Sequence, residues 1–113
     1  MGGSDQWGNI VSGVELIRRY SGARVLGLTC PLVKRADGAK MGKSESGAVW
    51  LNAQFLHDAD YYRYWLGTPE ADLRKFMLLF TDAPKDLIDE RLRKGPTIAR
   101  EFLAEEATRL CRA

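Results

Sequence analysis

Histidine and cysteine are scarce in this chain of 113 residues, and their scarcity excludes several kinds of site. The single histidine is His57, and the two cysteines, Cys30 and Cys111, lie far apart with no C-x-x-C pair. A structural zinc site needs four Cys or His ligands, and a disulfide framework needs several cysteines at regular spacings. We therefore predict no metal site and no disulfide, with Cys30 packed in a strand and His57 at a helix edge without a chemical role.

Long apolar runs are also missing. No stretch approaches the ~18 apolar residues of a membrane span, and the first residues lack the basic and apolar pattern of a secretion signal. With 45% hydrophobic and 28% charged residues, the composition is that of a soluble globular protein. The cytoplasm, or an organellar matrix, is the expected location.

Positive charge is concentrated in one part of the chain. The net charge is only +2, but residues 24–44 hold five Lys or Arg residues and one acidic residue, Asp37. A local basic patch raises the concentration of phosphate-bearing ligands around it. The small net charge does not indicate that the whole chain binds nucleic acid. The local positive charge makes residues 24–44 the candidate segment for binding a phosphate-bearing ligand.

The segment of residues 37–44, D-G-A-K-M-G-K-S, has the chemistry of a phosphate-binding loop. Lys40 and Lys43 each offer a compact positive charge with three donors, and Ser44 adds a hydroxyl. Gly42 allows the backbone to approach a ligand closely because it has no side chain. These features favour a triphosphate as the ligand.

A P-loop is a look-alike that does not fit this segment, and a solvated basic loop is a second alternative. A P-loop requires four residues between its glycines and a helix directly after its lysine, but only three residues separate Gly38 from Gly42. The residues that follow, E-S-G-A-V-W, begin with a glycine-bearing turn and continue with a β-friendly pair. The other interpretation is a solvated basic loop without a ligand.

The pattern of the first 33 residues predicts a parallel sheet with a helical crossover. Gly2-Gly3-Ser4-Asp5 has the composition of a tight turn after a strand, which suggests that the chain is part of a larger protein. A helix is predicted from Asp5 to about Tyr20, with Ser4 or Asp5 as its N-cap and Gly22 beyond its end. A short buried strand is predicted over residues 24–30. Residues 1–33 therefore form the last part of a Rossmann-like, doubly wound parallel sheet.

The apolar spacing of the second half of the chain predicts only helices. Their expected ranges are 60–65, 68–80, 84–93 and 97–112, with Thr68 as an N-cap and Gly95-Pro96 between the last two. Apolar stripes on these helices predict the core: Leu73, Phe76, Met77, Phe80, Leu87, Ile88, Leu92, Ile98, Phe102, Leu103 and Leu110. The predicted fold is α/β, with residues 1–51 ending a nucleotide-binding domain and residues 52–113 forming an all-α module.

Four motifs of the chain resemble those of the bacterial and organellar tyrosyl-tRNA synthetases, which are class I aminoacyl-tRNA synthetases. These motifs are G-G-S-D-Q-W-G-N-I at residues 2–10, G-L-T-C-P-L at 27–32, K-M-G-K-S at 40–44 and S-G-A-V-W-L at 46–51. The first is highly specific for the tyrosine enzymes, and the third is shared across class I. Gly42 departs from the usual K-M-S-K-S and removes one possible hydroxyl contact.

The resemblance implies a role for six residues in binding ATP and the aminoacyl adenylate. The Gly3 backbone and the Asp5 carboxylate would hold the ribose, and Gln6 would lie near the tyrosine carboxylate and the reacting phosphate. The remaining three would hold the leaving pyrophosphate: Lys40, Lys43 and Ser44. A carboxylate accepts from hydroxyls and cations stabilise developing charge on phosphate, so the chemistry agrees. For two of the six a simpler role stays open, Asp5 as a helix cap and Gln6 as a surface residue.

The activity that the resemblance implies is that of a tyrosine–tRNA ligase. ATP, together with magnesium, would activate tyrosine, and the product would pass to tRNA(Tyr); full-length members of the family are homodimers. The H-I-G-H-type ATP signature and the tyrosine pocket are not found in these residues, so we expect no catalysis by this chain alone. The alternative is a non-catalytic fragment of synthetase origin that binds RNA or a protein partner.

Overall fold

The computed structural model describes residues 1–41 and 48–112. Contacts along the chain divide it into two compact units, residues 1–34 and residues 35–113. The first unit contains a small parallel sheet with a helix, and the second contains four helices. The predicted α/β class, with an all-α module after the sheet, is confirmed.

The first unit is a βαβ arrangement. Strand β1 (Gly2–Gly3) leads through a 3₁₀ turn (Ser4–Gln6) into helix α1 (Trp7–Ser21), and strand β2 (Thr29–Cys30) pairs with β1 in parallel. The backbone N–H of Gly2 donates to the carbonyl of Leu28 at 3.1 Å, which extends the pairing by one bond. Helix α1 ends at Gly22 as predicted, because glycine adopts the left-handed conformation (φ 69°) that lets its N–H bond to Arg18.

The predicted strand over residues 24–30 is wrong in length and in burial. Only its last two residues pair, because β1 offers just two residues as a partner. Leu26 and Leu28 are 90% and 59% exposed, and Cys30 is also exposed. A strand becomes buried when sheet neighbours and helices cover it, and in the described part of the first unit the other elements beside β2 are the two-residue β1, the 3₁₀ turn and α1.

The second unit has the four helices that the sequence predicts, with small shifts at their ends. They are α2 (Asp58–Leu66), α3 (Glu70–Phe80), α4 (Lys85–Arg93) and α5 (Pro96–Arg112). The predicted N-cap at Thr68 is wrong, since α3 begins at Glu70 and Thr68 is buried before it. Prolines precede or begin three of these helices, where their missing N–H costs nothing.

An aromatic cluster and a row of alanines form the core of the second unit. Trp65 on α2 lies with its ring centroid 5.0 Å from that of Phe80 and 6.2 Å from that of Phe76, both on α3. Small residues let α5 approach its neighbours closely; those buried on it are Ala99, Ala104 and Ala107. Each buried aromatic side chain removes a large apolar area from water, so this cluster fixes α2 against α3.

The predicted apolar stripes agree with this core in part. Ile88 and Leu103 are 1% and 0% exposed. The expected core residues of α3 are at most 3% exposed, apart from Phe80, which is half-buried. Ile98 and Leu110 are 38% and 44% exposed, so their assignment to the core is wrong. They lie on flanks of α5, where apolar periodicity alone does not separate a buried side chain from a half-covered one.

His57 lies at a helix edge, as predicted, and it caps α2. Its Nδ1 accepts a hydrogen bond of 3.3 Å from the backbone N–H of Ala59. The two cysteines are free thiols. Among the helices that the structure describes, none is long and apolar enough to cross a membrane.

Candidate functional site

The first group of predicted site residues lies where β1 turns into α1. Gly3 is extended (φ −68°, ψ 160°) and leaves the carboxyl end of β1, and Asp5 and Gln6 follow in the 3₁₀ turn. In a parallel sheet, ligands bind beyond the carboxyl ends of the strands. The structure therefore brings Gly3, Asp5 and Gln6 together at the position where a nucleotide-binding sheet places its ligand.

Gly3 has no space for a side chain. A Cβ atom at this position would lie 2.7 Å from Oδ1 of Asp5 and 2.7 Å from Cδ2 of Leu32. Both distances are shorter than van der Waals contact, so any other residue would displace the Asp5 carboxylate or the Leu32 side chain. The Asp5 carboxylate and the Gly3 backbone are thus close neighbours on one surface.

The predicted N-cap of α1 at Ser4 or Asp5 is wrong. Both residues lie inside the 3₁₀ turn, α1 begins at Trp7, and its cap residue is Gln6, which makes no side-chain cap bond. A 3₁₀ turn bonds the chain to the residue three positions back and satisfies part of the helix start with backbone groups alone. Asp5 is therefore not the residue at the N-cap position of α1.

Gln6 and Asp5 are both exposed at this turn. The side-chain oxygen of Gln6 accepts a hydrogen bond of 3.0 Å from Nδ2 of Asn9, one turn further along α1. The amide nitrogen of Gln6 is the group that would donate to an oxyanion, and this bond orients it. Asn9 is a supporting residue that the sequence reasoning did not single out.

The second group of predicted site residues follows the turn of residues 35–39 in the second unit. Lys40 is exposed directly after this turn. Lys43 and Ser44 lie outside the described residues, as does Gly42.

Three hydrogen bonds shape the turn that precedes Lys40. The backbone N–H of Arg35 donates to Ala39 at 2.8 Å, and that of Gly38 donates to Arg35 at 2.9 Å. The Asp37 carboxylate accepts from the N–H of Ala39 at 2.9 Å. Gly38 adopts φ 85°, a conformation that glycine takes readily and side chains disfavour. Residues 35–39 thus form a defined turn directly before Lys40.

A buried carboxylate on α3 holds this turn. Asp72 is 0% exposed; its Oδ2 accepts from the N–H of Ala36 at 2.9 Å, and its Oδ1 accepts from Nζ of Lys75 at 2.6 Å. A buried charge is tolerated when its oxygens are paired and hydrogen-bonded, as both are here. Next to the turn, the Tyr64 hydroxyl donates to Sδ of Met41 at 3.4 Å.

Sequence reasoning missed Asp72. The one available signal was an acidic residue one position before the buried Leu73 on a helix, and such residues are usually solvated. Its partner, Ala36, lies 36 residues away in the sequence. No local pattern reveals a contact of that separation.

The chain beyond the lysine segment is held by the last residue of α5. The Arg112 guanidinium, whose side chain is 7% exposed, donates to the carbonyls of Trp50 at 3.2 Å and Leu56 at 2.9 Å, and also to that of Leu51. The guanidinium stacks on the Tyr61 ring, 4.7 Å from its centroid. The helical unit therefore holds the chain on both sides of residues 42–47.

The charge of Asp72 makes the stability of this unit depend on pH. Burial alone raises the pKa of Asp72. The hydrogen bonds from Lys75 and Ala36, together with the nearby charges of Lys75 and Arg35, lower the pKa by more than burial raises it, so the pKa lies below its ordinary value. The pKa of Tyr64, which faces the same region, is raised by burial. A carboxylate of this kind stabilises the folded state above its unfolded pKa of about 3.9.

We expect acidification to destabilise the wild-type chain more than an Asp72→Asn variant. The wild-type stabilisation is complete at pH 5 and is lost as the pH falls below about 3.9 through the folded pKa, whereas asparagine does not titrate. Thermal melting of both chains between pH 5 and pH 2.5 measures the difference. Other carboxylates contribute equally to both chains, so parallel pH profiles would contradict the charged state of Asp72.

Within the described ranges, no cluster of three or more His, Cys, Asp or Glu side chains could hold a metal ion. The predicted site residues described in the first unit offer a backbone, a carboxylate and an amide, and the one described in the second unit, Lys40, offers a cation.

A βαβ unit with a glycine turn at its strand end, followed by a basic lysine segment and a helical unit, is an arrangement expected of a class I aminoacyl-tRNA synthetase. Residues 1–112 match the sequence model of the family described as tRNA synthetases class I (W and Y). The chain therefore belongs to that family.

The relatives within this family are tyrosine–tRNA ligases. The chain is 53% identical over 113 residues to the tyrosine–tRNA ligase of Caulobacter vibrioides and 49% identical over 110 residues to that of Treponema pallidum. Each alignment covers 97% of this chain and 27% of the relative, so the chain spans about a quarter of the length of these ligases.

A solved structure has the same fold. The C-terminally truncated mitochondrial tyrosyl-tRNA synthetase of Coccidioides posadasii superposes with a TM-score of 0.73 at 27% sequence identity. The superposition covers 98% of this chain and 34% of that chain. The short sheet and the helices are thus those of a tyrosyl-tRNA synthetase, as the sequence resemblance predicted.

Proposed function

We propose that this chain is the part of a tyrosine–tRNA ligase that binds the ribose and the pyrophosphate of ATP while tyrosine is activated. The observation that carries the proposal is the turn after β1, where the Asp5 carboxylate lies against the Gly3 backbone at the carboxyl end of a parallel strand. A ribose presents two adjacent hydroxyl donors, and a carboxylate is the acceptor that binds them best.

Each proposed residue has a role that its chemistry supports. Gly3 lets the sugar approach the backbone, and Asp5 accepts from the ribose hydroxyls. Gln6, oriented by Asn9, donates to the tyrosine carboxylate or to the reacting phosphate oxygen. Lys40, together with the two residues of the motif that the structure does not describe, Lys43 and Ser44, stabilises the charge that develops on the leaving pyrophosphate.

The reaction needs no covalent nucleophile and no proton-transfer base from this chain. The tyrosine carboxylate attacks the α-phosphate, the bond to pyrophosphate breaks, and the lysines stabilise the departing charge. Positioning and electrostatics account for such phosphoryl chemistry. No described residue is assigned to magnesium, which would accompany ATP.

The partners follow from the same proposal. They are tyrosine, ATP and tRNA(Tyr), and the compartment is the cytoplasm or an organellar matrix. Residues 1–51 would belong to the nucleotide-binding domain and residues 52–113 to the helical module. By contacts alone, the chain divides earlier, after Lys34.

A chimera tests the proposal. The chimeric ligase is the Caulobacter vibrioides enzyme with its matching segment replaced by residues 1–113 of this chain. We expect it to catalyse tyrosine-dependent exchange of pyrophosphate into ATP. The 113 residues alone should show no exchange, because positioning tyrosine against the α-phosphate requires residues that this chain does not supply.

Two results would count against this proposal. Tyrosine-dependent exchange by the isolated chain that persists through further purification would show that the segment contains more of the site than proposed. A chimeric ligase that melts like its parent but exchanges no pyrophosphate would show that the segment does not serve as this part of a ligase.

A further inference from the structure

We propose that Asp72 is a positioning residue for Lys40: its buried carboxylate holds the turn of residues 35–39 and so fixes the point from which Lys40 reaches a phosphate. This inference rests on the proposed function, since it assigns Lys40 to the pyrophosphate. It adds a residue of α3, outside all the sequence motifs, to the machinery of the reaction.

The contacts of Asp72 lead from the helical core to the turn. The carboxylate is fully buried on α3 and accepts the N–H of Ala36 at 2.9 Å with one oxygen. Its other oxygen accepts from Lys75 at 2.6 Å, on the same helix. Hydrogen bonds to an ionised carboxylate are stronger than neutral ones, and the paired lysine keeps this carboxylate ionised. Ala36 is thus bonded to a rigid element.

The turn carries this restraint to Lys40. Ala36 lies between Arg35 and Asp37, and both of these bond to Ala39 across the turn, at 2.8 and 2.9 Å. An ion pair of 3.3 Å between Arg35 and Asp37 closes the same turn. Lys40 follows Ala39 directly, so the backbone that carries it has few ways to move.

A second contact restrains the other side of Lys40. The Tyr64 hydroxyl on α2 donates to Sδ of Met41, the next residue, at 3.4 Å. Lys40 therefore lies between a turn fixed to α3 and a side chain that contacts α2. Catalytic groups gain rate from such preorganisation, because misplacement of about 1 Å can cost ~100-fold.

Single-turnover formation of tyrosyl-adenylate in the chimeric ligase tests the inference. We expect Asp72→Ala to slow this step by about tenfold, less than the ~100-fold cost of a 1 Å misplacement, with the KM for tyrosine changed less than twofold. Asp72→Asn should recover most of the rate, because its side-chain oxygen still accepts from Ala36. This variant also keeps the test valid if the alanine variant folds poorly.

Two controls separate positioning from general destabilisation. Leu103→Ala removes a fully buried side chain from α5 that has no bond to the turn, and its melting temperature can be compared with that of Asp72→Ala. We expect Leu103→Ala to keep the parental rate of adenylate formation at temperatures well below melting. Asp89→Ala removes a carboxylate whose ion pair with Arg74 lies outside the turn, and it should also keep that rate.

A double-mutant cycle with Lys40→Ala gives the deciding comparison. If Asp72 acts through Lys40, the double variant Asp72→Ala/Lys40→Ala should be as slow as Lys40→Ala and no slower. Losses that multiply in the double variant, or a Leu103→Ala variant that is as slow as Asp72→Ala, would overturn the positioning role and leave the proposed function intact. If Lys40→Ala itself kept the full rate, the proposed function of the lysine segment would fail, and this inference with it.

Amide exchange in the 113-residue chain gives an independent measurement. Ala36 is an exposed residue whose N–H donates to Asp72, so Asp72→Ala should speed its hydrogen exchange several-fold, while Leu103→Ala should leave the ratio of Ala36 to neighbouring amides unchanged. Equal exchange at Ala36 in wild type and Asp72→Ala would contradict the proposal that Asp72 holds the turn through this N–H.

Discussion

Replacing either lysine of the K-M-G-K-S segment with alanine in the chimeric ligase should slow tyrosyl-adenylate formation by about 2–4 kcal/mol, or about 30- to 900-fold. Each lysine places a positive charge where the leaving pyrophosphate gains negative charge, and that interaction is stronger in the transition state than in the ground state. Tyrosine binding, which precedes this charge development, should change little. Rapid-quench measurement of adenylate formation separates the two quantities.

The control for the lysine variants lies elsewhere in the second unit, at the end of α4. Lys94→Ala removes an exposed lysine that is paired with Glu90 on α4 and is assigned no role in the reaction. It should keep the parental rate. Unchanged rates in both Lys40→Ala and Lys43→Ala would contradict the assignment of the segment to pyrophosphate.

The Asp5→Asn variant should be impaired in tyrosine activation by about 1.5–3 kcal/mol, or about 10- to 160-fold, because the ribose loses a charge-assisted acceptor. Melting should stay near that of the parent. Asparagine caps a helix about as well as aspartate, and Asp5 is not the N-cap residue of α1. The rate of adenylate formation and the melting temperature, measured on one preparation, decide between a ligand role and a structural role.

Ser4→Ala serves as the matched control for Asp5→Asn. Ser4 lies in the same 3₁₀ turn and was the other predicted cap, yet it is assigned no ligand. It should leave both melting and activation near parental values. Full activity in a well-folded Asp5→Asn variant would remove Asp5 from the ribose site.

The fold was predictable wherever the signal is local. Apolar spacing and the turn residues Gly22 and Gly95 located the five described α-helices to within two residues at their ends. The parallel pairing of the two strands also followed, because a glycine turn, a helix and a short apolar stretch form a βαβ unit.

The errors lie where neighbours in space decide the outcome. The stretch of residues 24–30 has the composition of a buried strand, but its pairing is limited by the two residues of β1. Aspartate is a residue type that favours the N-cap position, but Asp5 lies in a 3₁₀ turn before α1. Propensity is a weak guide when tertiary contacts compete with it.

The candidate site also has residues that the sequence indicates and supporting residues that it does not. The six motif residues are proposed from the sequence, because the resemblance assigns them their roles. Asp72 and Arg112, which hold the chain before and after the lysine segment, act on residues 36 and 56 positions away. A single sequence contains no signal for such pairs, so the supporting contacts came only from the structure.

The most direct test of this account is the initial rate at which the chimeric ligase attaches tyrosine to tRNA(Tyr). The comparison is with the same chimera carrying Lys40→Ala and Lys43→Ala together. We predict that the chimera charges tRNA(Tyr) at a rate within about tenfold of that of the parent ligase. The double variant should be slowed at least as much as the ~30- to 900-fold expected of one lysine substitution. Equal charging rates by the two chimeras, or no charging by a correctly folded chimera, would contradict the central claim that this segment binds ATP in a tyrosine–tRNA ligase.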